Sequence, residues 1–316
     1  MPAATLMHPR RADRPDASSV LLDGPWIHGD YSTNGVRLHV AEAGSGPLIL
    51  LLHGFPQFWW TWRHQIVALA EAGYRVVAPD LRGFGASDKP PRPYDVMTTA
   101  ADIARLVTAM GEREATLVGH DLGGSVAWTV ARFRPDVVRR LVVLSAPHPR
   151  RWRAAVVSDF KQIAASSHVF GFQTPRIPEQ RLTRDGAAEV ARLMTAWAGD
   201  RWASTVDFVE ARARYQQAML IPQAAYGALE HYRWAVRSLP RPDGVTYTRR
   251  MSIPVGMPTL QLHGGQDTCV LPTTAQGSSR YVSSTYEWQT ISHAGHFLPE
   301  EVPDLVTGEI LRWIKS

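Results

Sequence analysis

The sequence predicts an α/β fold class: a mostly parallel central sheet with helices on both faces, interrupted by an inserted helical cap. Three observations predict it. Strand-like and helix-like patterns alternate over residues 26–148 and again over 246–316, as expected of a parallel sheet covered on both sides. The run "LILLL" at 48–52 is apolar at every position, which suits a strand buried on both faces. Between 149 and 245 the alternation stops, and Trp, Arg and Ala recur at helical spacing without a convincing buried strand.

Residues 26–43 read as a hairpin with Asn34-Gly35 at its turn. "GSGP" (44–47) is a second turn, and the buried strand 48–52 follows it. "HGFP" (53–56) then leads into an amphipathic helix over 60–72. "YRVVAPD" (74–80) is a strand and "LRGFGASDKP" (81–90) a loop. A helix over 98–110 leads to a strand at 115–118, a glycine-rich turn, and a helix over 124–133. "RRLVVLSAP" (139–147) is a further strand. After the insertion, "PTLQLHGG" (258–265) and "TYEWQTIS" (285–292) resume the sheet, and a helix over 302–314 ends it. The expected division is a mobile arm at 1–25, rich in Pro, Arg, Asp and Ser, core segments at 26–148 and 246–316, and the cap at 149–245.

Composition narrows the function. The chain has 316 residues, 45% hydrophobic and 20% charged, an ordinary globular balance. Its formal charge is +5. Residues 149–245 hold 14 Lys and Arg against 9 Asp and Glu, and the remaining 20 of each sign cancel. The excess is spread as single arginines rather than a dense run with interleaved aromatics, so a solvated helical face is expected and nucleic acid is not. No apolar run is long enough to cross a membrane, and the N-terminal stretch lacks the apolar segment of a signal peptide. A cytoplasmic enzyme is the expectation. One cysteine, Cys269, forms no internal disulfide, and neither a metal nor a cofactor is expected. Homo-oligomerisation is left open.

"TLVGHDLGG" (116–124) carries the chemistry. An apolar strand runs into a turn holding Gly119, Gly123 and Gly124, with the carboxylate Asp121 at its tip. Strand, Gly-x-nucleophile-x-Gly-Gly and helix make a nucleophile elbow, in which small residues permit a tight bend that presents one side chain. Helix capping is the other ordinary job of an Asp there. Further parts in the required chain order favour the elbow. "LHGFP" supplies a tight loop whose Phe55 amide, with that of Leu122, can form an oxyanion hole. Asp267 follows one strand and His296 another.

On "HGFPQFWWTWRHQ", "VVAPDLRGFGASDKP", "GHDLGG" and "AGHF", the chain resembles the α/β-hydrolase superfamily and, within it, the epoxide hydrolases. That resemblance implies the α/β-hydrolase fold, with Asp121 as nucleophile, Asp267 as charge-relay acid and His296 as general base. It also implies two leaving-group donors on the cap. "ALEHYRWAVR" places one at Tyr232. The other segment resembles "SSHVFGFQTPRIPE", where His168 stands in place of the usual tyrosine. A smaller branch of the family resembles this His/Tyr pairing. The implied partners are an apolar epoxide of small-molecule size and water.

An Asp nucleophile is an anion at neutral pH without help, so it can displace a leaving group from an sp³ carbon and leave an alkyl ester. Water activated by His296 would then hydrolyse that ester. Haloalkane or haloacid dehalogenases use the same triad. The former carry Trp after the nucleophile and the latter, as in fluoroacetate dehalogenase, carry arginines. Here Leu122 and Ser125 stand instead. An inactive binding protein of this fold would be expected to lack Asp267 or His296. Tyr215 and Tyr226 are alternative donors. His53, His120 and the Trp59, Trp60, Trp62 cluster are expected to be structural, and His148 carries no signal.

Overall fold

A computed structural model describes residues 14–316. An eight-stranded sheet forms its centre. The strands are β1 (Ile27–Ser32), β2 (Arg37–Ala43), β3 (Leu48–Leu52), β4 (Arg75–Pro79), β5 (Ala115–His120), β6 (Val138–Leu144), β7 (Thr259–Gly264) and β8 (Tyr286–Ile291). Their order is β1-β2-β4-β3-β5-β6-β7-β8. β2 pairs antiparallel with β1 and β4, and every other neighbouring pair is parallel. The sheet is wound in both directions from the β3/β5 neighbours. Such a switch point opens a crevice at the strands' carboxyl ends. The segments leaving β3 and β5 therefore face each other there.

Local chemistry explains the core helices. α1 (Arg63–Glu71) follows a 3-10 turn, Trp59–Trp62, whose indoles are all buried. α2 (Val96–Ala109) is capped by Asp95, which accepts from Thr98 N at 2.9 Å. α3 (Leu122–Phe133) lies against β5 and β6 with Val126, Ala127, Trp128 and Val130 buried.

Of the expected mobile arm at 1–25, residues 1–13 lie outside the described residues. The rest is fastened, contrary to expectation. Asp16 caps a turn at Ala17–Val20, Val20 is buried, and its carbonyl accepts from the Trp59 indole at 2.9 Å. Trp26 donates to the Leu22 carbonyl at 2.8 Å and meets Trp59 edge-on. These partners are distant in sequence or specific to geometry, so composition does not reveal them.

Between β6 and β7 the chain is helical. The helices are α4 (Pro149–Ser158), α5 (Phe160–Ala165), α6 (Ser167–Gly171), α7 (Ile177–Thr183), α8 (Ala188–Trp197), α9 (Asp200–Ala203), α10 (Val206–Leu220), α11 (Ala224–Arg237) and α12 (Pro242–Arg250). α13 (Pro272–Gln276) precedes β8, while α14 (Leu298–Glu301) and α15 (Pro303–Lys315) complete the chain. The insertion is tied to the core by a buried carboxylate, Glu300. It accepts from Gln57 Nε2 at 2.6 Å, Thr61 Oγ1 at 3.2 Å, Arg63 at 2.6 Å and the α10 hydroxyl of Tyr215 at 2.8 Å. A buried charge with this many donors is satisfied, and losing one leaves a vacancy at a charged acceptor. Tyr215→Phe should lower unfolding free energy by about 1–2 kcal/mol. Urea denaturation checks this, and an unchanged midpoint would show the hydroxyl to be dispensable.

Candidate active site

The elbow is built by backbone crowding. Asp121, between β5 and α3, adopts φ 48°, ψ −116°, a region that L-residues enter only when their surroundings enforce it. Its amide donates to the Leu144 carbonyl at 3.1 Å, and its carbonyl accepts from Ser125 N at 3.0 Å. A Cβ on Gly119 would collide with the Gly123 carbonyl, and one on Gly123 with the carbonyl of Leu52 at the end of β3. The Asp121 carboxylate makes no capping bond to α3. It is turned instead toward the β3 loop, where Phe55 N donates to Oδ2 at 3.0 Å. Burial raises the Asp121 carboxyl, and His296 and the amides of Phe55 and Leu122 only partly offset that.

The other two strand-end residues meet beside it. His296 Nδ1 lies 2.8 Å from Asp267 Oδ2, and His296 Nε2 lies 3.8 Å from Asp121 Oδ1. Nε2 has no hydrogen-bond partner among the described residues. The other oxygen of Asp267 accepts from the amides of Cys269 at 2.8 Å and Val270 at 2.9 Å. Burial alone would raise the Asp267 carboxyl, but His296, with His263 3.3 Å from its Oδ2, holds it well below the usual range. Burial likewise opposes the charged form of His296, and the field of Asp267, assisted by Asp121 and Glu301, overrides it and raises the imidazole to about 9.

The insertion closes the site from above. Tyr232 on α11 directs its hydroxyl at Asp121 Oδ2, 3.5 Å away, and its ring packs edge-on against Phe55. His168 on α6 lies in the same cleft, with ring centroids 6.3 Å from Tyr232 and 4.7 Å from Trp197. Burial pushes its imidazole down to about 4. Its Nε2 is 4.0 Å from Cys269 Sγ.

The alternative donors lie elsewhere. Tyr215 serves Glu300, and Tyr226 donates to the Pro91 carbonyl at 2.7 Å. His53 accepts from Leu81 N at 3.0 Å under the loop. His120 spans Gln57 Oε1 at 2.9 Å and the His296 carbonyl at 2.8 Å. His148 accepts from Arg150 N at 3.3 Å at the start of α4 and stacks on Tyr281. Trp59, Trp60 and Trp62 line no part of the cleft.

Several contributors were not visible in the sequence. Segment 196–200 is stitched to both loops that carry the acid and the histidine. His296 N donates to the Trp197 carbonyl at 2.9 Å, and Thr268 Oγ1 to the Ala196 carbonyl at 2.6 Å. Glu301 accepts from the amides of Gly295 at 2.6 Å, Phe297 at 2.9 Å and Gly199 at 3.1 Å. Its place in "LPEE" reads as an ordinary helix start, so its role depends on folding back. His263 had a usable signal: it sits at a strand end four residues before Asp267.

The cleft encloses ≈ 850 Å³ including its mouth, with Asp121, Leu122, His168 and Tyr232 in its wall. Among the described residues no group of three or more His, Cys, Asp or Glu is placed to hold a metal ion, and no helix is long and apolar enough to cross a membrane.

Fold and site together define an α/β-hydrolase-fold protein, and a family model described as alpha/beta hydrolase fold matches residues 47–303. The chain is 32% identical to epoxide hydrolase 4 of Mus musculus, spanning 100% of this chain and 86% of that protein. It is 34% identical to an AB hydrolase superfamily protein of Bacillus subtilis, over 90% of this chain and 96% of that one. A solved epoxide hydrolase from an endophytic Streptomyces superposes with a TM-score of 0.80 at 28% identity, covering 93% of this chain and 96% of the other. The chain belongs to the epoxide hydrolase family within the α/β-hydrolase superfamily.

The electrostatics yield a test. Asp267 is the larger of the carboxylate influences that raise His296, and Glu301 a smaller one. Asp267→Asn should move the His296 titration well below about 9, and Glu301→Gln should move it down by less. Histidine-selective NMR titration reads both. A midpoint unmoved in Glu301→Gln would reduce that residue to loop architecture.

Proposed function

We propose that this protein hydrolyses epoxides to vicinal diols in two steps through an ester on Asp121. One observation carries the reading: a phenol supplied by the insertion, Tyr232, is aimed across the cleft at the same carboxylate that the Phe55 amide holds. A halide leaves as an anion without a proton. An epoxide oxygen leaves as an alkoxide and needs a donor. That is the reason to prefer this chemistry to dehalogenation.

Oδ2 of Asp121 occupies the amide pocket. Oδ1, on the His296 side, is then the attacking atom. It forms a bond to one ring carbon as that carbon's bond to the epoxide oxygen breaks. The electron pair goes to the oxygen, which receives a hydrogen bond and then a proton from the cap. Tyr232 is the principal donor, with His168 beside it. Burial keeps the Tyr232 phenol protonated, since its pKa is well above the ordinary value.

In the second step His296 Nε2 takes a proton from water, and the hydroxide equivalent attacks the ester carbonyl. The resulting oxyanion sits at the Phe55 and Leu122 amides. Each such donor is worth about 3–4 kcal/mol in comparable sites. Collapse breaks the acyl C–O bond, the departing alkoxide takes the proton from the His296 imidazolium to give the diol, and the proton of the new Asp121 carboxyl, one of whose oxygens now derives from water, returns to the Tyr232 phenolate. Asp267 holds the imidazole through Nδ1 and balances the imidazolium.

Charge changes between the steps help the histidine. In the resting protein Asp121 contributes to raising His296. Esterification removes that charge, so the imidazole becomes easier to deprotonate when it must act as base.

His296→Gln should accumulate an adduct, one substrate plus the enzyme, on the peptide carrying Asp121 after incubation with styrene oxide. Mass spectrometry detects it, and single turnover in heavy-oxygen water should label Asp121 rather than the diol. Label entering the diol directly refutes the ester. Tyr232→Phe should slow ester formation by about 10²-fold or more, with His168→Ala slowing it equally or less; rapid-quench alkylation rates measure both. Ester breakdown should accelerate with rising pH, with a midpoint below the value of about 9 for His296 in the resting protein. Single-turnover rates across pH give that midpoint, and a rate that falls as pH rises would exclude His296 as base.

A further inference from the structure

Tyr232 has two neighbours that pull in different directions. Arg233 fastens α11 to the insertion itself, donating to Glu179 at 2.7 Å, to the Thr174 carbonyl at 2.8 Å and to the Phe172 carbonyl at 3.1 Å. His231 fastens the helix to the core. Its Nε2 lies 3.1 Å from the carbonyl of Arg82, in the loop that follows β4. A carbonyl only accepts, so Nε2 carries the proton and the ring is the donor. The imidazole is buried, stacked on Phe84 and edge-on to Tyr94. Burial lowers it to about 4, so at neutral pH it makes this bond as an uncharged group.

The same loop sets how closely α11 approaches the core. Gly227 lies one turn before His231 on the same helix face. A Cβ on Gly227 would stand 2.6 Å from the Gly83 Cα, and Gly83 itself has φ 88°. Two consecutive loop residues, Arg82 and Gly83, therefore meet two successive turns of α11. A slide of the helix along its axis breaks the His231 bond, and a tilt away from the loop opens the glycine contact.

Arg82 is in turn fixed through side chain and backbone. Its guanidinium pairs with Asp102 on α2 at 2.6 Å and donates to the Pro93 carbonyl at 2.8 Å. The amide just before it, Leu81 N, donates to His53 Nε2 at 3.0 Å. His53 opens the loop that carries Phe55. A short path therefore runs from Phe55 back to His53, across to Leu81 and Arg82, and across again to His231 and Tyr232. Its two ends, the Phe55 amide and the Tyr232 hydroxyl, meet at one atom, Asp121 Oδ2, at 3.0 and 3.5 Å.

We propose that His231 is a positioning residue for ester formation: through its bond to the Arg82 carbonyl it sets the distance from the Tyr232 phenol to Asp121, and so to the leaving oxygen. His231 acts through Tyr232 and transfers no proton itself. The part played by Tyr232 in the reaction rests on the function proposed above, while the placement of its phenol by His231 does not. Misplacing a reacting group by about 1 Å costs on the order of 10²-fold in rate, so a hydrogen bond one residue away from the phenol is enough to matter.

His231→Phe keeps a ring beside Phe84 and removes the donor to Arg82. Ester formation, followed by rapid quench, should slow by about tenfold or more. Ester breakdown, which uses His296 and the amides of Phe55 and Leu122, should stay within about twofold. His231→Gln retains an N–H for the carbonyl and should recover most of the loss. In the Tyr232→Phe protein, adding His231→Phe should slow ester formation by less than about a further twofold, because no phenol is left to place. Equal slowing of both steps, no recovery in His231→Gln, or a full additional loss in the Tyr232→Phe protein would each overturn the proposal. Fluorine NMR of protein labelled with 3-fluorotyrosine tests the placement without turnover. The Tyr232 signal, identified by its loss in Tyr232→Phe, should move in Asp121→Asn and in His231→Phe and stay in place in His231→Gln. Movement in that pattern upholds the placement even if no ester forms on Asp121, and a signal unmoved in His231→Phe overturns it even if epoxides are hydrolysed.

Discussion

The architecture depends on one backbone contact. β5 must end so close to β3 that a side chain on Gly123, in the first turn of α3, would run into the Leu52 and His53 carbonyls. That approach leaves no room for a side chain at Gly119 or Gly123, and it drives Asp121 into a left-handed conformation. The cost of that conformation, of order 1–3 kcal/mol, is met by the buried central strands of the sheet. In return the carboxylate cannot fold back to cap its own helix. It is held out into the crevice at the sheet's switch point, where the Phe55 amide reaches it. Any loosening of the contact would return Asp121 to the ordinary role of a capping residue.

Around that fixed point the charges are arranged unequally. Asp267 is buried with two amides and two imidazoles, so its negative charge is held firmly. Asp121 has the amide pocket and a phenol, and burial works against its charge. His296 sits between the two. The carboxylate that is better solvated by protein dipoles is suited to a permanent counter-charge, and the less solvated one to a group that gives up its charge in a bond. Environment alone separates the proposed roles of two chemically identical side chains.

The sequence made legible whatever local rules encode. The elbow, the loop carrying Phe55 and the strand-end positions of Asp267 and His296 follow from short motifs and from the alternation of strands and helices. Tyr232 and His168 were reachable only through family resemblance, because nothing in a helical segment says which face meets a crevice. Glu300 and Glu301 were not reachable. Glu300 looks like a solvated helix residue until Arg63, Gln57 and Tyr215 are brought to it from far along the chain. The segment after residue 13 failed in the opposite sense: its polar composition suggested mobility, but indoles from Trp59 and Trp26 take its carbonyls.

The insertion and the core divide the work along a physical line. The Phe55 amide and His296 reach Asp121 from loops that leave strands of the sheet. What the insertion adds stands on helices: a phenol 3.5 Å from Asp121 and an imidazole beside it. The insertion is not loosely laid on the core, because Glu301 ties Gly199 to the loop of His296, and Tyr215 ties α10 to Glu300. A displacement of the insertion would therefore pull on the histidine loop as well as open the cleft. The helices that wall the cleft and the loop that carries His296 are joined through the same few hydrogen bonds.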